Sequence, residues 1–339
     1  MSIVSKKINY LVDHNYSVDI YSIKHTVTPF YELRQSVRIF DFNISDGNIL
    51  VRIKNFISFI RKSDYDIIIS ADAQIVTWIL PFITSNKKTI LELHQSFDGI
   101  NLYLREKYNN SLLKCGFFKF IKKLAYPKYT KVIVLTNEDK EKWNLKNSEV
   151  IPNFHVLPIN ISDNDCKTAI CVGRLQNQKG FDLLIKVWTK VCEMNPKLRL
   201  LYFGADDNEH NNKILSKHNA PESFILMGFE SNPIKIYSNA GINIVPSRHE
   251  SFSLSLLEAM CFGVPTIAFN SVGPRSIIAD SDAGILIDCY DIDAMANSII
   301  SLLENSERYN RMRYLCNKRA QDFTENKVMR LWMDLFEKL

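Results

Sequence analysis

Two glutamates eight residues apart, Glu250 and Glu258, flank a serine-rich stretch, Ser251-Phe252-Ser253-Leu254-Ser255. A strand-like run, Ile242–Val245, precedes them, and a helical pattern, Leu254–Cys261, contains the second. Eight residues is a little over two helical turns, an angular drift of roughly 80°. Both carboxylates can therefore face one ligand and accept hydrogen bonds from hydroxyls along it. Free N–H groups at the start of the helix suit an anion between them. A ligand with hydroxyls at both ends and a diphosphate in the middle fits this arrangement. An ordinary helix with a dipole-favoured Glu near its start fits it as well, and the pair alone does not decide.

A second stretch offers the complementary charge. After the strand-like run Ala169–Val172 comes Gly173-Arg174-Leu175-Gln176-Asn177-Gln178-Lys179-Gly180, and then a helical pattern. Arg174 and Lys179 at a helix start can bind phosphate oxygens by charge-assisted hydrogen bonds. The spacing is not that of the nucleotide-binding GxxxxGK[ST] loop, because Lys179 precedes the second glycine. A cationic surface turn is an equal reading. His94 ends the run Leu91-Glu92-Leu93-His94, with Asp98 as a companion. Asp206-Asp207 reads as an exposed loop and not as a metal site.

These residues need rigid elements behind them. Short apolar runs (Ser17–Ile23, Asp66–Ser70, Lys88–Leu93, Lys131–Leu135, Arg199–Phe203, Phe224–Met227, Thr266–Phe269) alternate with amphipathic segments such as Ile49–Lys62, Phe117–Leu124, Phe181–Val191, Pro233–Ser238 and Ile292–Leu303. That alternation predicts parallel sheets covered by helices, in an α/β fold. The rhythm breaks over Ile151–Asp165, which carries prolines and several Asn and Asp, and this predicts a linker between two domains. Ligands of such sheets bind at the carboxyl ends of strands, where both stretches lie.

Together the two stretches resemble the family 4 glycosyltransferases of GT-B fold. GRLQNQKG is followed by HESFSLSLLEAMCFGVPTIA, with the E-x7-E spacing and an A-x-x-x-G-x-P segment from Ala259 to Pro265. Val150-Ile151-Pro152-Asn153, Leu226-Met227-Gly228-Phe229 and Gly273-Pro274-Arg275-Ser276-Ile277-Ile278 stand in the family's order. The resemblance covers essentially the whole chain and is specific from about Ile151 to Ile287.

It implies two Rossmann-like domains whose parallel sheets face each other across a cleft. The N-terminal acceptor-side domain would span 1–155 and the nucleotide-sugar-binding domain 156–316. A helical segment, 317–339, would pack back toward the first. Arg174 and Lys179 would neutralise the donor diphosphate as leaving group. Glu258 would hold the ribose hydroxyls and Glu250 the transferred sugar. Gly173, Ser251, Phe252, Ser253 and Leu254 would complete the donor site, and Gly228 and Phe229 would flank the base. His94 would face the sugar and the acceptor.

The implied reaction retains anomeric configuration, uses no protein nucleophile and needs no metal or other cofactor. It moves a hexose or N-acetylhexosamine from a nucleotide diphosphate sugar, with UDP favoured, to a glycan or lipid-diphosphate-linked acceptor in cell-surface polysaccharide synthesis (O-antigen, capsule or exopolysaccharide). A nucleotide-sugar 2-epimerase of the same fold and a truncated, non-catalytic binding remnant stay as alternatives. Two departures from the family stand out. The chain opens on what resembles the family's first helix, so the first strand and its glycine-rich loop are expected either upstream of a misplaced start, the reading favoured, or lost from a degraded gene. Ser251 and Ser253 also replace glycines, which predicts strain if the loop needs positive φ there.

Charge and cysteine content bound the setting. Residues 1–155 carry 22 Lys and Arg against 15 Asp and Glu, and the remainder carries 20 against 22. The basic half suggests an anionic partner, yet no base-reading or stacking motif supports nucleic acid. Residues 105–131 mix Arg105, Lys107, Lys114, Lys119, Lys122, Lys123, Lys128 and Lys131 with Phe117, Phe118, Phe120, Ile121 and Leu124. Such a helix can lie on an anionic bilayer or pack its apolar side on its own domain. The seven cysteines include no CxxC pair and sit mostly in apolar runs, so reduced buried thiols are expected. With no leader pattern and no span of about 20 apolar residues, the expected location is cytoplasmic, peripheral on the inner membrane face.

Overall fold

The computed structural model describes residues 3–22, 32–41, 49–71, 74–84, 87–159, 167–204, 215, 217, 219–278 and 281–339. The chain divides into two units, one of Met1–Ile151 with Val328–Leu339 and one of Pro152–Lys327. The first boundary thus falls at the start of the expected linker, and the second falls at residue 327 instead of 316.

The first unit runs α1 (Ile3–Asp13), β1 (Asp19–Ser22), β2 (Arg38–Asp41), α2 (Ile49–Lys62), β3 (Ile67–Ala71), α3 (Gln74–Ile83), β4 (Lys88–Glu92), α4 (Phe97–Lys107), α5 (Leu112–Ala125), β5 (Lys131–Val134), α6 (Asn137–Trp143) and β6 (Ser148–Val150). Strands β1 and β2 form a parallel pair, and β3-β4-β5-β6 form a four-stranded parallel sheet. Ile90, Leu91, Val132 and Ile133 at its centre are fully buried, as expected for strands covered on both faces. Helix α4 starts at Ser96, whose hydroxyl accepts from the Gly99 N–H, and α6 starts at Thr136, whose hydroxyl accepts from the Asp139 N–H. Such caps satisfy otherwise unpaired first-turn donors.

Helix α5 is held by one face. Cys115 and Ala125 are buried, and the Phe118 ring stacks on Tyr108 at 5.0 Å and meets Trp78 at 5.3 Å. Phe117, Phe120 and Leu124 are exposed, so the apolar residues of this helix are split between the core and solvent.

The second unit runs β7 (Thr168–Val172), α7 (Phe181–Met194), β8 (Arg199–Phe203), β9 (Phe224–Gly228), α8 (Pro233–Tyr237), β10 (Ile242–Val245), α9 (Leu254–Cys261), β11 (Thr266–Phe269), α10 (Val272–Ile278), β12 (Gly284–Ile287), α11 (Ile292–Glu304) and α12 (Ser306–Ala320). Its six strands are all parallel in the order β12-β11-β10-β7-β8-β9. Chain direction across the sheet reverses between β7 and β10. In open α/β sheets ligands bind at the carboxyl ends of strands at such a reversal, and the turns after β7 and β10 both lie there. Leu184, Trp188, Ile244, Leu256, Leu257, Ile267 and Phe269 are fully buried around the sheet.

The expected C-terminal segment 317–339 is not one element. Residues up to Ala320 complete α12, and His155 binds this end of the unit. Its N–H donates to the Phe323 carbonyl, its carbonyl accepts from the Glu325 N–H, and its ring lies 3.0 Å from the Ala320 carbonyl oxygen. Helix α13 (Glu325–Glu337) follows, and its residues from Val328 group with the first unit. There Trp332 is buried over the ammonium of Lys7, 4.0 Å from the ring centre.

Among the described residues, no helix is long and apolar enough to cross a membrane. Cys115, Cys171, Cys261 and Cys316 are buried free thiols, whereas Cys289 is exposed. Cys166 and Asp206-Asp207 lie outside the described residues.

Candidate active site

Two loops at the β7/β10 reversal are locked together. Gly180 ends a short 3-10 turn, Asn177–Lys179, with φ +67°. A Cβ there would lie 2.0 Å from the Pro246 carbonyl oxygen, so only glycine allows this approach and this backbone. Arg248 then clamps the loops. Its guanidinium makes two parallel bonds to Asp182 at 2.8 and 2.7 Å and a third to the Asn177 carbonyl oxygen at 2.6 Å. The Arg248 hydrogen bond, ahead of burial opposing it, holds the Asp182 carboxyl below its ordinary range.

The clamp places Lys179 against Glu250. The Lys179 ammonium donates to Glu250 Oε1 at 2.6 Å, and the Ser247 hydroxyl donates to the same oxygen at 2.8 Å. Glu250 is buried. An isolated carboxylate there would be costly, so the ammonium and hydroxyl are its necessary partners. A lysine has three donors, and one is used here. The nearby Cys171 thiol is pushed up to about 12 by burial, with Lys179 opposing and Glu250 adding to the shift.

The neighbouring turns are laced to the same edge. The Gly173 N–H donates to the Phe203 carbonyl at 2.9 Å, and the Gly204 N–H donates to the Gly228 carbonyl at 3.1 Å. The Tyr202 hydroxyl donates to the Arg174 carbonyl at 3.2 Å. That contact fixes the backbone of Arg174 while its side chain stays exposed. Gly228 has φ +74°, and Phe229 after it is 62% exposed.

Glu258 sits in α9, partly buried. Tyr237, fully buried, donates to Glu258 Oε2 at 3.1 Å and approaches the Ser255 carbonyl at 3.2 Å. Burial, then the charge of Glu258, drives the Tyr237 pKa far above its ordinary value. The phenol therefore stays a donor and orients the carboxylate.

The strain expected of Ser251 and Ser253 is not present. Ser251 is absent from the positive-φ residues, and Ser253 has φ −79°, so serine costs no strain at either place. The Phe252 ring is buried against Phe323 at 5.6 Å, so its side chain belongs to the core. Gly273 is the glycine this loop requires, because a Cβ on it would press on the Phe252 backbone nitrogen at 2.9 Å. Leu254 opens α9 after Ser253, which makes no side-chain cap bond to the helix.

In the first unit His94 follows β4, with Nε2 3.7 Å from Glu92 Oε2. Glu92 and Lys7 form a buried ion pair. Asp98 is paired with Lys142.

Ser247, the Arg248–Asp182 clamp, Tyr202, Tyr237 and Lys7 are not among the residues expected from the sequence. Ser247 and Arg248 stood beside the motif and carried a signal. The others act across many residues of sequence and carried none.

Residues 158–319 match the family model for glycosyl transferases group 1. The amylovoran biosynthesis glycosyltransferase AmsD of Erwinia amylovora is 24% identical over 96% of this chain and 92% of its own length. Sucrose-phosphate synthase from Thermosynechococcus elongatus superposes with a TM-score of 0.78 at 19% identity, covering 99% of this chain and 93% of that one. Anabaena Alr3699/HepE, solved in complex with UDP, superposes with a TM-score of 0.70 at 15% identity, covering 89% and 86%. The fold is GT-B.

Proposed function

Because this chain is a GT-B glycosyltransferase with a group 1 domain over residues 158–319, we propose that it transfers a hexose or N-acetylhexosamine from a UDP-sugar with retention of anomeric configuration. The acceptor is a glycan or lipid-diphosphate-linked chain in the synthesis of a cell-surface polysaccharide. The observation that carries this reading is the Lys179–Glu250 pair at the β7/β10 reversal. The UDP in the Anabaena structure and the naming of the Erwinia relative as an amylovoran biosynthesis glycosyltransferase favour this donor nucleotide and this pathway.

The roles follow from charge. Lys179 and Arg174 bind the diphosphate and take up the negative charge that grows on it as the sugar leaves; fixed cations gain most where charge develops. They occupy the role a metal would otherwise have. Glu250 holds Lys179 in place and accepts from the sugar's hydroxyls. Glu258, oriented by Tyr237, accepts from the ribose hydroxyls. The Gly228–Phe229 turn flanks the base. In the first unit His94 is assigned to the acceptor.

Calorimetric titration with UDP-, GDP- and ADP-sugars tests the donor assignment. Binding of a UDP-sugar that weakens in Glu258→Ala is expected, and binding of none of the three would overturn the reading. The anomeric coupling constant of the product, read by NMR, checks retention.

A further inference from the structure

Helix α5 carries a second apolar face that its own unit does not cover. Leu113, Phe117, Phe120 and Leu124 recur at i, i+4, i+7 and i+11, which puts them on one stripe within about 60° of each other. Their exposures are 88, 60, 59 and 51%. The inward side of the helix is already occupied by Cys115, Phe118 and Ala125, so the stripe is no misplaced core face. Four large apolar side chains in a row on an exposed helix mark an interaction surface.

Charge identifies the partner. Lys114 and Lys123 lie at roughly 90° to either side of the stripe by helix geometry, and both are exposed. Residues 105–131 hold eight cations and one carboxylate, Glu106. Two copies of this face would bring like charges together around a shared seam, which opposes self-association. An anionic bilayer meets both features at once: acyl chains receive the stripe and headgroups receive the lysines.

We propose that α5 lies in the surface of an anionic membrane, with Leu113, Phe117, Phe120 and Leu124 inserted below the headgroups and Lys114 and Lys123 bound to lipid phosphates. This rests on the reading of a lipid-linked acceptor and specifies how the enzyme reaches it. The helix lies flat and spans nothing. Each buried Phe or Leu strengthens binding by the usual hydrophobic increment, and each lysine near the surface adds a salt-sensitive one.

Co-sedimentation of the full chain with vesicles tests this. Phosphatidylcholine vesicles are compared with phosphatidylcholine and phosphatidylglycerol in equal parts, at low and high salt. The chain is expected to bind only the anionic vesicles and to release at high salt. Phe117→Ser with Phe120→Ser should weaken binding at least about tenfold; both side chains are exposed, and UDP-sugar binding, held in the other unit, should be unchanged. Equal binding to neutral vesicles, no binding to either, or full binding by the double variant would overturn the proposal. So would a wild-type dimer in sedimentation velocity that the double variant converts to monomer, since a second copy would then cover the stripe. Loss of UDP-sugar binding in the wild-type chain would instead strike the functional reading and leave the membrane surface standing.

Discussion

Lys179 and Glu250, which are 71 residues apart in sequence, meet at 2.6 Å and join the turn after β7 to the loop after β10. The pair serves two ends. It neutralises a buried carboxylate, and it fixes the ammonium to which the proposed function assigns the donor diphosphate. Lys179→Met should therefore do two things. Transfer should slow by roughly 100-fold or more, the usual loss when a donor to developing charge is removed. Stability should fall by about 3 kcal/mol, because Glu250 is left buried with Ser247 as its remaining partner among these two. Steady-state kinetics and denaturant melts separate the effects. A normal rate would remove Lys179 from the chemistry.

Gly180 and Gly228 both have positive φ, at +67° and +74°, yet they should respond differently to alanine. At Gly180 the new methyl would meet Pro246 at 2.0 Å, whereas at Gly228 it meets nothing within 4 Å. Gly228→Ala should cost only the backbone strain, about 1 kcal/mol. Gly180→Ala should separate the two loops, lowering the melting temperature much further and abolishing UDP-sugar binding. Similar melting temperatures for the two variants would show that the loops are not locked at Gly180.

Tyr237→Phe tests whether Glu258 must be oriented. One hydrogen bond is removed and packing is kept, so UDP-sugar affinity should drop by about fivefold to tenfold. Glu258→Ala should lose more, and the double variant should be no worse than Glu258→Ala alone. Additive losses in calorimetry would mean the two residues act separately.

Much of this site is legible in the sequence for a physical reason. Strand ends and helix starts converge in parallel sheets, so local pattern puts Arg174, Lys179, Glu250 and Glu258 at strand ends and helix starts, while their roles came only with the family resemblance. Tyr237 could not be placed in this way, because a single tyrosine in a short helix looks like any half-buried aromatic. Strands β2, β6 and β12 escaped notice: Arg38-Ile39-Phe40-Asp41 and Ser148-Glu149-Val150 are short and carry charges, and Gly284 opens the third. The direction of the α5 apolar residues was equally hidden. Periodicity shows that a helix has an apolar stripe, and only the packing of Phe118 shows which stripe is inside.

The buried pair of Lys7 and Glu92, roofed by Trp332, predicts a tertiary cost with no local signal. Burial acts to pull the Lys7 pKa down, with the Glu92 charge resisting. Burial works to raise the Glu92 carboxyl, but Lys7 and His94 together hold it below its ordinary range. Lys7→Met should lose about 3 to 5 kcal/mol by stranding the carboxylate. Lys7→Met with Glu92→Leu should recover more than half of that in urea melts. If the double variant is no better than the single one, packing and not charge explains the loss.

Alkaline pH should weaken the fold through its buried thiols and phenols. Cys171 moves from about 9 to about 12 on folding, and Cys316 is also raised, in both cases chiefly by burial. Tyr237 and Tyr202 are raised likewise. A group with a raised folded pKa keeps its proton in the native state while the unfolded chain releases it. Its contribution is whole below the unfolded pKa and is lost as pH rises toward the folded one. The decline should begin near pH 9, where the thiols start to ionise in the unfolded chain, and steepen near pH 10 as the tyrosines join. Each group removes roughly 1.4 kcal/mol per pH unit within its window. Urea melts from about pH 8 to about pH 11 should show this slope, and Cys171→Ala should flatten its first part. Exposed Cys289 gives the matching control: a thiol reagent at neutral pH should modify it while Cys171, Cys261 and Cys316 react only on unfolding. Early modification of Cys171 in the native chain would mean that the thiol beneath the Lys179–Glu250 pair is open to solvent, and the alkaline decline would then need another source.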